Sequence, residues 1–238
     1  MHDKPATPKA LLGLRSNGLL AGLDTTALED LAGKLEWRRY LAGQQVISRN
    51  AADRGVYLVI AGRVRVAAFS LSGRQVTYRE IGAGDHFGEL AAIDGGARSA
   101  DVIALEDSLL AAMSLATFRG LLLQHAGFRE CVLLRLAALV REMTNRVFDL
   151  STLGVRNRVH AELLRLGRQA GIEGNTARLE PAPTHSDIAN RVSTYREQVT
   201  RELSALSAQG VIAREGRCLV LRDVARLETL VADVGLAS

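Results

Sequence analysis

The sequence predicts an α+β protein with an N-terminal β jelly roll, a long dimerisation helix and a C-terminal winged helix-turn-helix. Three observations lead to this fold class. Short strand-like runs punctuated by glycine fill the first half of the chain, and a helical segment with a continuous apolar seam follows. Two helix-start signals then stand ten residues apart. We expect boundaries at 1–116, 117–153 and 154–238.

Composition agrees with two folded domains in one chain. The 238 residues are 47% hydrophobic and 24% charged, which is ordinary for a globular protein. The only cysteines, Cys131 and Cys218, lie too far apart for a disulfide framework and cannot alone ligate an iron–sulfur cluster. Residues 1–9 lack the apolar core of a signal peptide, and no later run is long and uncharged enough to span a bilayer. We therefore expect a cytoplasmic protein without a membrane partner.

Overall charge permits nucleic-acid binding without locating it. The net charge is +4 and the pI is near 9.4. Residues 151–238 hold twelve arginines against ten acids, a balance of +2, so positive charge is not concentrated there. A nucleic-acid site would therefore depend on the local arrangement of charged residues.

The first half begins with short helical patterns over residues 9–35. Leu19, Leu20 and Leu23 precede Thr25 or Thr26, either of which can cap a helix over 27–35. From Tyr40 to about Met113 the pattern becomes strand-like, and its even spacing is typical of a jelly roll. The expected strands are Gln45–Ile47, Val56–Ile60, Arg63–Phe69, Gln75–Ile81 and Ala100–Ala112.

Two of these strands are joined by a predicted turn at residues 70–73. Val66 and Ile81 on the flanking strands have two interpretations. They can line a ligand-facing side of the barrel, or they can be plain core residues, which is the better expectation for either residue alone.

Residues 84–100 are a glycine-rich stretch suited to one small anion. Glycines permit left-handed backbone and let main-chain N–H groups approach a ligand. Arg98 offers a planar fork of donors that suits phosphate, whereas Glu89 repels phosphate and suits a donor such as a sugar hydroxyl. Together they predict a phosphate and a ribose on one ligand. The alternative is a surface loop with an exposed ion pair.

A long helix is predicted from about Thr117 to Leu150. Its apolar residues recur at alternating spacings of three and four, which is typical of a coiled-coil seam in a parallel homodimer. The seam residues are Leu133, Leu136, Val140, Met143, Val147 and Leu150. The alternative is a single helix lying on its own domain. A hinge is predicted at Ser151, Thr152, Leu153 and Gly154. Helical periodicity resumes after it and ends at Gly171.

Two capping boxes, Thr184–Asp187 and Thr194–Glu197, predict a pair of short helices with a tight turn at 192–194. The second helix is expected over 195–209, followed by strands at 211–214 and 218–221 that form a wing. The predicted buried contacts of this helix-turn-helix are Ile188, Ala189, Val192, Val199 and Leu203.

Three charged residues at the start of the second helix can read bases in the major groove. Arg196 and Arg201 can pair with guanine and Glu197 can accept from cytosine, so a G·C-rich half-site is expected. The alternative is a solvated salt bridge among the three. Arg217 in the wing and His185 are further candidates for contact with DNA phosphates.

The glycine-rich stretch resembles the phosphate-binding cassette of the cyclic-nucleotide-binding domain, F-G-E-L, seven residues, then R-S/A-A. Residues 87–90 and 98–100 match that pattern without a gap. The resemblance implies that Glu89 takes the ribose 2′-hydroxyl. It also implies that Arg98, Ser99 and the backbone of Gly88, Glu89 and Leu90 hold the cyclic phosphate.

With the second half included, the chain resembles the bacterial catabolite activator (CRP/FNR) family of transcription regulators over nearly its whole length. The family's R-E-x-x-x-R motif is present at 196–201. The resemblance implies a homodimer that binds cyclic AMP, a TGTGA-like palindrome in double-stranded DNA, and RNA polymerase. Thr194, Gln198 and His185 join Arg196, Glu197 and Arg201 as DNA-binding candidates.

Two neighbouring hydroxyl residues contact the base in cyclic-AMP-dependent members of that family. Met143 and Thr144 stand at those positions, so one hydroxyl is missing. The Thr144 hydroxyl can hydrogen-bond either adenine's amino group or guanine's edge, so cyclic GMP is an alternative effector.

Two other classes of function have less support in the sequence. A redox or gas sensor with haem or iron–sulfur would have only His86 and Cys131 nearby. An enzyme finds little support, because no nucleophile triad, metal-spaced cluster or paired carboxylates appear. No metal site is predicted.

Overall fold

The computed structural model describes residues 8–71 and 73–232, with side chains from residue 12 onward. The chain divides into two compact units, Met1–Arg141 and Glu142–Ser238. The turn expected at 70–73 includes Ser72, which lies outside the described residues, as do residues 1–7 and 233–238. On its described side, the Gly73 amide donates to the Ser70 carbonyl at 2.9 Å.

Two four-stranded antiparallel sheets form the body of the first unit, which confirms the predicted jelly roll. Their strand orders are β1-β8-β3-β6 and β2-β7-β4-β5. The strands are β1 (Glu36–Tyr40), β2 (Gln45–Ile47), β3 (Val56–Ala61), β4 (Arg63–Phe69), β5 (Gln75–Gly82), β6 (His86–Phe87), β7 (Asp101–Ala104) and β8 (Ser108–Met113). The helices are α1 (Pro8–Arg15), a 3-10 turn (Gly18–Leu20), α2 (Thr25–Lys34), α3 (Glu89–Asp94) and α4 (Leu115–Gln124).

The single strand predicted over 100–112 is two strands. β7 belongs to the second sheet and β8 to the first, so the chain must leave one sheet and enter the other. In the bend between them, the Leu105 amide donates to the Arg63 carbonyl at 2.8 Å. The polar residues Glu106, Asp107 and Ser108 stand at this crossing, and they are the sequence signal that marks it.

Helix α2 is capped by Asp24, so the predicted cap at Thr25 or Thr26 was wrong. The Asp24 carboxylate accepts from the Ala27 amide at 2.8 Å, and helical conformation begins at Thr25. Asp is at least as good an N-cap as Thr, and its position one residue earlier lets it bond the third helical amide.

Ile81 and Val66 pack in the barrel core. Ile81 is fully buried in a cluster with Tyr57, Val59 and Phe87, and Val66 is partly buried against that cluster. A second cluster joins α1, α2 and α4 to the outer side of the first sheet. The core interpretation of Ile81 and Val66 is therefore the one observed.

The predicted continuous helix over 117–150 is broken at His125. α4 ends at Gln124, His125 is extended, and α5 runs from Ala126 to Thr152. Phe128 then packs edge-on against Phe118, with ring centroids 5.7 Å apart. A Cβ on Gly127 would stand 2.6 Å from the Gly22 carbonyl oxygen, so the backbones touch there. This packing requires a bend that the apolar periodicity does not reveal.

The interruption after α5 is shorter than the predicted hinge. Ser151 and Thr152 are still helical, and only Leu153 and Gly154 separate α5 from α6 (Val155–Ala170). The Thr152 hydroxyl donates to the Phe148 carbonyl four residues earlier, which keeps it within the helix.

The second unit is a winged helix-turn-helix, as predicted. Its remaining elements are β9 (Ile172–Glu173), β10 (Thr176–Leu179), α7 (His185–Arg191), α8 (Arg196–Ala208), β11 (Ile212–Glu215), β12 (Cys218–Leu221) and α9 (Val224–Ala232). Its sheet has the order β11-β12-β10-β9, and the hairpin β9-β10 was not predicted. All five predicted contacts of the helix pair are buried in one core cluster.

Residues 8–71 and 73–232 contain the helices that the structure describes. None of them combines the length and the apolar character that a bilayer crossing needs.

Candidate functional site

The glycine-rich stretch is built around Gly88, which has a φ of +92° and immediately precedes α3. A Cβ at this position would lie 2.7 Å from Nη1 of Arg98 and 2.9 Å from the Gly55 carbonyl oxygen. The left-handed backbone and the close approach both require glycine. The first-turn amides of α3, which have no intrahelical acceptor, therefore lie beside the Arg98 guanidinium.

Arg98 is buried and hydrogen-bonded by protein acceptors. Its Nη1 donates to the Gly88 carbonyl at 2.9 Å, and its Nη2 donates to the Asp53 carboxylate at 2.9 Å and to the Gly55 carbonyl at 2.8 Å. Its Nε is buried without a partner in the described part of the chain. The alternative of an exposed ion pair with Glu89 is therefore wrong, because the carboxylate partner of Arg98 is Asp53.

Sequence analysis missed Asp53 and Tyr57, which orient Arg98. The Tyr57 hydroxyl donates to Asp53 at 2.9 Å, and the Tyr57 ring stacks on Phe87 with centroids 5.2 Å apart. Burial, together with this hydrogen bond, raises the pKa of Tyr57 to about 12. Partial burial alone would raise the pKa of Asp53, but hydrogen bonds from Gly55, Tyr57 and Arg98 outweigh it and lower that pKa. The carboxylate therefore stays ionised beside Arg98.

Glu89 is 4% exposed, yet its carboxylate has no hydrogen bond or ion pair among residues 8–71 and 73–232. A carboxylate accepts hydrogen bonds only, so a ligand hydroxyl is a suitable donor to it. Leu90 and Ser99 are exposed on either side. The structure thus brings Gly88, Glu89, Leu90, Arg98 and Ser99 into one place within the first unit.

Met143 and Thr144 lie on α5 within the second unit. Met143 is half-buried and Thr144 is exposed. Their contact with a base remains a prediction.

His86 and Cys131 were the candidates for a haem or iron–sulfur sensor. His86 lies in the barrel on β6 and Cys131 is half-buried on α5. In the described ranges, no group of three or more histidine, cysteine or acidic residues is arranged to hold a metal ion.

The helix pair of the second unit begins with the predicted cap. The Thr184 hydroxyl accepts from the Asp187 amide at 3.0 Å, and it donates to the Asp187 carboxylate at 2.6 Å. The turn between the helices places Ser193 at a φ of +55°. Only this non-glycine residue, within the described chain, has a positive φ.

The second predicted capping box was wrong. Tyr195 occupies the N-cap of α8 and makes no side-chain cap bond, while Thr194 is buried. Its hydroxyl donates to the Gln198 amide oxygen instead. The left-handed Ser193 turns Thr194 inward, so the Thr194 hydroxyl faces Gln198 rather than solvent.

Arg196, Glu197 and Arg201 are all exposed near the start of α8. Glu197 and Arg201 are four residues apart and share one helix face, with Arg196 in the first turn beside them. No ion pair links the three in the part of the chain that the structure describes. The salt-bridge alternative is therefore not observed, and all three side chains are available to a partner.

Arg214, on β11 of the wing, extends the surface formed by Arg196, Glu197 and Arg201. The pKa of His185 is lowered by burial, and the positive charges of Arg196 and Arg214 lower it further. His185 is therefore neutral near pH 7, and its Nδ1 lies 2.7 Å from the Thr200 hydroxyl. Sequence analysis named Arg217, which is exposed, but missed Arg214 on β11. Arg196, Arg214 and His185 thus lie close together across the helix and the wing.

Two part-buried contacts join α6 to the helix pair, one at α8 and one at the end of α7. His160, fully buried on α6, lies with its Nε2 2.5 Å from the Glu202 carboxylate. Burial lowers the pKa of His160 although the bond to Glu202 raises it. Arg158 Nε donates to the Val192 carbonyl at 3.0 Å, at the end of α7.

Known families match both halves of the chain. Residues 37–125 match the cyclic nucleotide-binding domain, and residues 157–230 match the Crp-like helix-turn-helix domain. The first range contains the whole cassette, and the second contains all six DNA-binding candidates.

Similar proteins cover most of the chain. The Cyclic AMP receptor protein of Thermus thermophilus is 30% identical over 217 residues, spanning 91% of this chain and 98% of that protein. The CRP-like cAMP-activated global transcriptional regulator of Mycobacterium tuberculosis is 27% identical, spanning 88% and 94%. The solved structure of a crp/fnr-family regulator from Eubacterium rectale superposes with a TM-score of 0.73 at 20% identity, covering 92% and 99% of the two chains.

Proposed function

The chain belongs to the CRP/FNR family of transcription regulators, and we propose that it is a homodimer that binds a TGTGA-like DNA palindrome when liganded with cyclic AMP. The family is one of DNA-binding regulators rather than enzymes. The proposal places the protein in the cytoplasm with RNA polymerase as a further partner, both on family resemblance.

One observation carries the nucleotide part of the proposal: Glu89, which is 4% exposed and makes no side-chain hydrogen bond among the described residues, stands in the same cassette as the buried Arg98. A ribose 2′-hydroxyl can donate to the Glu89 carboxylate and so supply a hydrogen bond that the described residues do not. The cyclic phosphate can accept from Arg98, from the Ser99 hydroxyl and from the backbone at 88–90. A ligand with a phosphate and a neighbouring hydroxyl fits this pair, whereas inorganic phosphate would leave Glu89 unpaired.

The base is the less determined part of the ligand. Met143 and Thr144 are the proposed contacts, and a single hydroxyl suits adenine's amino group or guanine's edge. Cyclic AMP is the first choice because the relatives named above are described as cyclic-AMP proteins. Cyclic GMP is the alternative effector.

The exposed face of α8 supports the DNA part. Arg196, Glu197 and Arg201 would read base edges, and His185 would lie near a phosphate. Gln198 is held by Thr194, so these two residues would act at the DNA as a pair. Ligand binding can favour the DNA-binding arrangement only through its differential affinity for the two states.

Titration calorimetry tests the nucleotide site. Cyclic AMP and cyclic GMP are titrated separately into the wild-type dimer, Glu89→Gln and Arg98→Leu. An exposed arginine on α4 supplies the matched control, Arg119→Leu. We expect binding that falls at least tenfold in both site variants and is unchanged in the control. If neither nucleotide binds wild-type protein, the effector assignment is wrong.

Fluorescence anisotropy with a TGTGA palindrome tests the DNA site. Arg196→Ala and Arg201→Ala should each weaken specific binding by about 1–3 kcal/mol and reduce preference over a scrambled duplex. Arg226→Ala, an exposed arginine on α9, is the control. Equal loss on specific and scrambled DNA would show phosphate contact without base reading.

An absorption spectrum of the purified protein tests the redox or gas-sensing alternative. A visible haem or iron–sulfur band would support that alternative and place His86 or Cys131 at the cofactor. The proposed function predicts that cyclic nucleotides change DNA affinity without such a band.

A further inference from the structure

Arg79 crosses the interior of the barrel beside the cassette. It lies on β5 in one sheet, and its Nη2 donates to the His86 carbonyl on β6 of the other sheet at 3.0 Å. Its Nη1 is buried and has no hydrogen-bond partner among the described residues. Nη2 therefore links the two sheets, whereas Nη1 has no hydrogen-bond acceptor among the described residues.

His86 is next to this unsatisfied donor, and its Nδ1 lies 3.4 Å from the Asp85 carboxylate. It is 2% exposed, and neither ring nitrogen has a hydrogen-bond partner in the ranges that the structure describes. Burial lowers the pKa of His86, and Arg79 lowers it as well. Glu89 and Asp85 raise it, but the net direction is downward. Those three side chains are the charged groups that act on it. Arg79, which is half-buried, and the buried residues His86 and Glu89 thus form one polar cluster.

The charges of this cluster do not balance as they stand. Arg98 has Asp53 as its carboxylate partner. Arg79 has none within ion-pair distance among residues 8–71 and 73–232, and Glu89 likewise lacks a cationic partner. A buried guanidinium without an anion is unfavourable, and so is a buried carboxylate without a donor. A ligand that brings both an anion and a hydroxyl would satisfy the two together.

We propose that Arg79 is a second phosphate-binding side chain of the nucleotide site. The inference rests on the proposed function and adds a residue outside the cassette motif. Arg98 already pairs with Asp53 at 2.9 Å, so a second cation would help to offset a phosphate charge next to Glu89. Guanidinium nitrogen atoms pair well with phosphate oxygens, and the buried setting strengthens that bond. Arg79 and Arg98 would then contact different exocyclic oxygens of the cyclic phosphate.

The two phosphorothioate diastereomers of cyclic AMP test this assignment. Each replaces one exocyclic oxygen with sulfur, a poorer acceptor, and therefore weakens the contact made at that oxygen. Affinities of cyclic AMP, cyclic GMP and both diastereomers are measured for wild type, Arg79→Gln and Arg79→Lys. Circular dichroism melting curves accompany each variant to confirm folding.

We expect Arg79→Gln to weaken cyclic AMP and cyclic GMP alike by about ten- to a hundredfold, as a charged hydrogen bond is lost. The penalty for sulfur at one exocyclic position should disappear in this variant and persist at the other. Arg79→Lys, which keeps the charge, should recover part of the affinity.

Four results would overturn the assignment. Unchanged affinity in Arg79→Gln would show that Arg79 does not reach the ligand. An equal loss of affinity for the parent nucleotide and both diastereomers would show that Arg79 only links the two sheets. Failure of wild-type protein to bind either nucleotide would remove the proposed effector and this inference together. Binding that Glu89→Gln and Arg98→Leu abolish but Arg79→Gln preserves would remove this inference alone.

Discussion

At the scale of single residues, the cassette depends on a backbone position that admits no side chain. Gly88 adopts a left-handed conformation and lets the Arg98 guanidinium and the Gly55 carbonyl meet beneath the start of α3. The Asp53 carboxylate accepts from the same Arg98 nitrogen, Nη2, as the Gly55 carbonyl does, at 2.9 Å. The orientation of Arg98 is therefore set by atoms on two separate segments of chain, residues 53–55 and Gly88.

Gly88→Ala should damage this arrangement more than a typical glycine substitution. A left-handed Cβ costs about 1–2 kcal/mol, and the contact with Gly55 involves backbone that cannot turn aside. We expect cyclic AMP affinity to fall at least tenfold by calorimetry. Urea unfolding should show a loss of about 2 kcal/mol or more.

Gly82→Ala is the matched control for that variant. Gly82 ends β5, and a Cβ there would meet no atom within 4 Å. It should leave both nucleotide affinity and stability close to wild type. Wild-type nucleotide affinity in Gly88→Ala would contradict the role assigned to this glycine.

At the scale of elements, the end of α7 is held by arginines from two other helices. Arg158 on α6 bonds the carbonyls of Leu153 and Val192 at 2.7 and 3.0 Å, and Arg146 on α5 bonds the Arg191 carbonyl at 3.0 Å. Carbonyls at a helix C-terminus have no intrahelical donor, so cations suit them. Helices α5 and α6 are thereby tied to the turn that aims α8.

Arg158→Ala should loosen this turn without touching a base. Two charged hydrogen bonds are lost, and we expect DNA affinity to fall about tenfold, since such bonds contribute about 1.5–3 kcal/mol each before relaxation. Cyclic AMP affinity should stay at the wild-type value. Arg168→Ala, an exposed arginine of the same helix paired with exposed Glu228, is the control. Equal DNA affinity in Arg158→Ala and Arg168→Ala would refute a positioning role for Arg158.

At the scale of the whole molecule, α5 presents a row of apolar side chains to solvent. Leu133, Val140, Val147 and Leu150 of the predicted seam are exposed. Met143 is half-buried, and Leu136 packs against the core of the first unit instead. Exposed apolar rows of this length mark interaction surfaces, and their spacing suits a second copy of the helix. The homodimer remains a prediction with this row as its support.

Val140→Asp combined with Val147→Asp should convert the dimer to a monomer, because like charges would face each other across the seam. Sedimentation velocity gives the mass, and DNA affinity should fall more than tenfold since the two half-sites are no longer bound by linked domains. Leu123→Asp is the control, as Leu123 is 81% exposed but lies on α4. A dimer that survives both seam substitutions would place the interface elsewhere.

Much of the fold could be predicted because its signals are local. Strands β2 and β4 begin and end where the alternation of residues placed them, and Thr184 caps α7 as its capping box indicated. The cassette and the exposed residues Arg196, Glu197 and Arg201 were also found from short motifs. Each of these features depends on residues within about ten positions of one another.

Amino-acid order alone thus determined the fold class, the cassette and the face of the recognition helix. Tertiary structure decided the break at His125, the inward turn of Thr194, and the pairing of Arg98 with Asp53 across 45 positions. It also decided that Arg79 of one sheet meets His86 of the other. Periodicity and motifs report which backbone conformation a segment prefers. They do not report which distant buried group will satisfy a charge, because that partner exists only once the two sheets have packed.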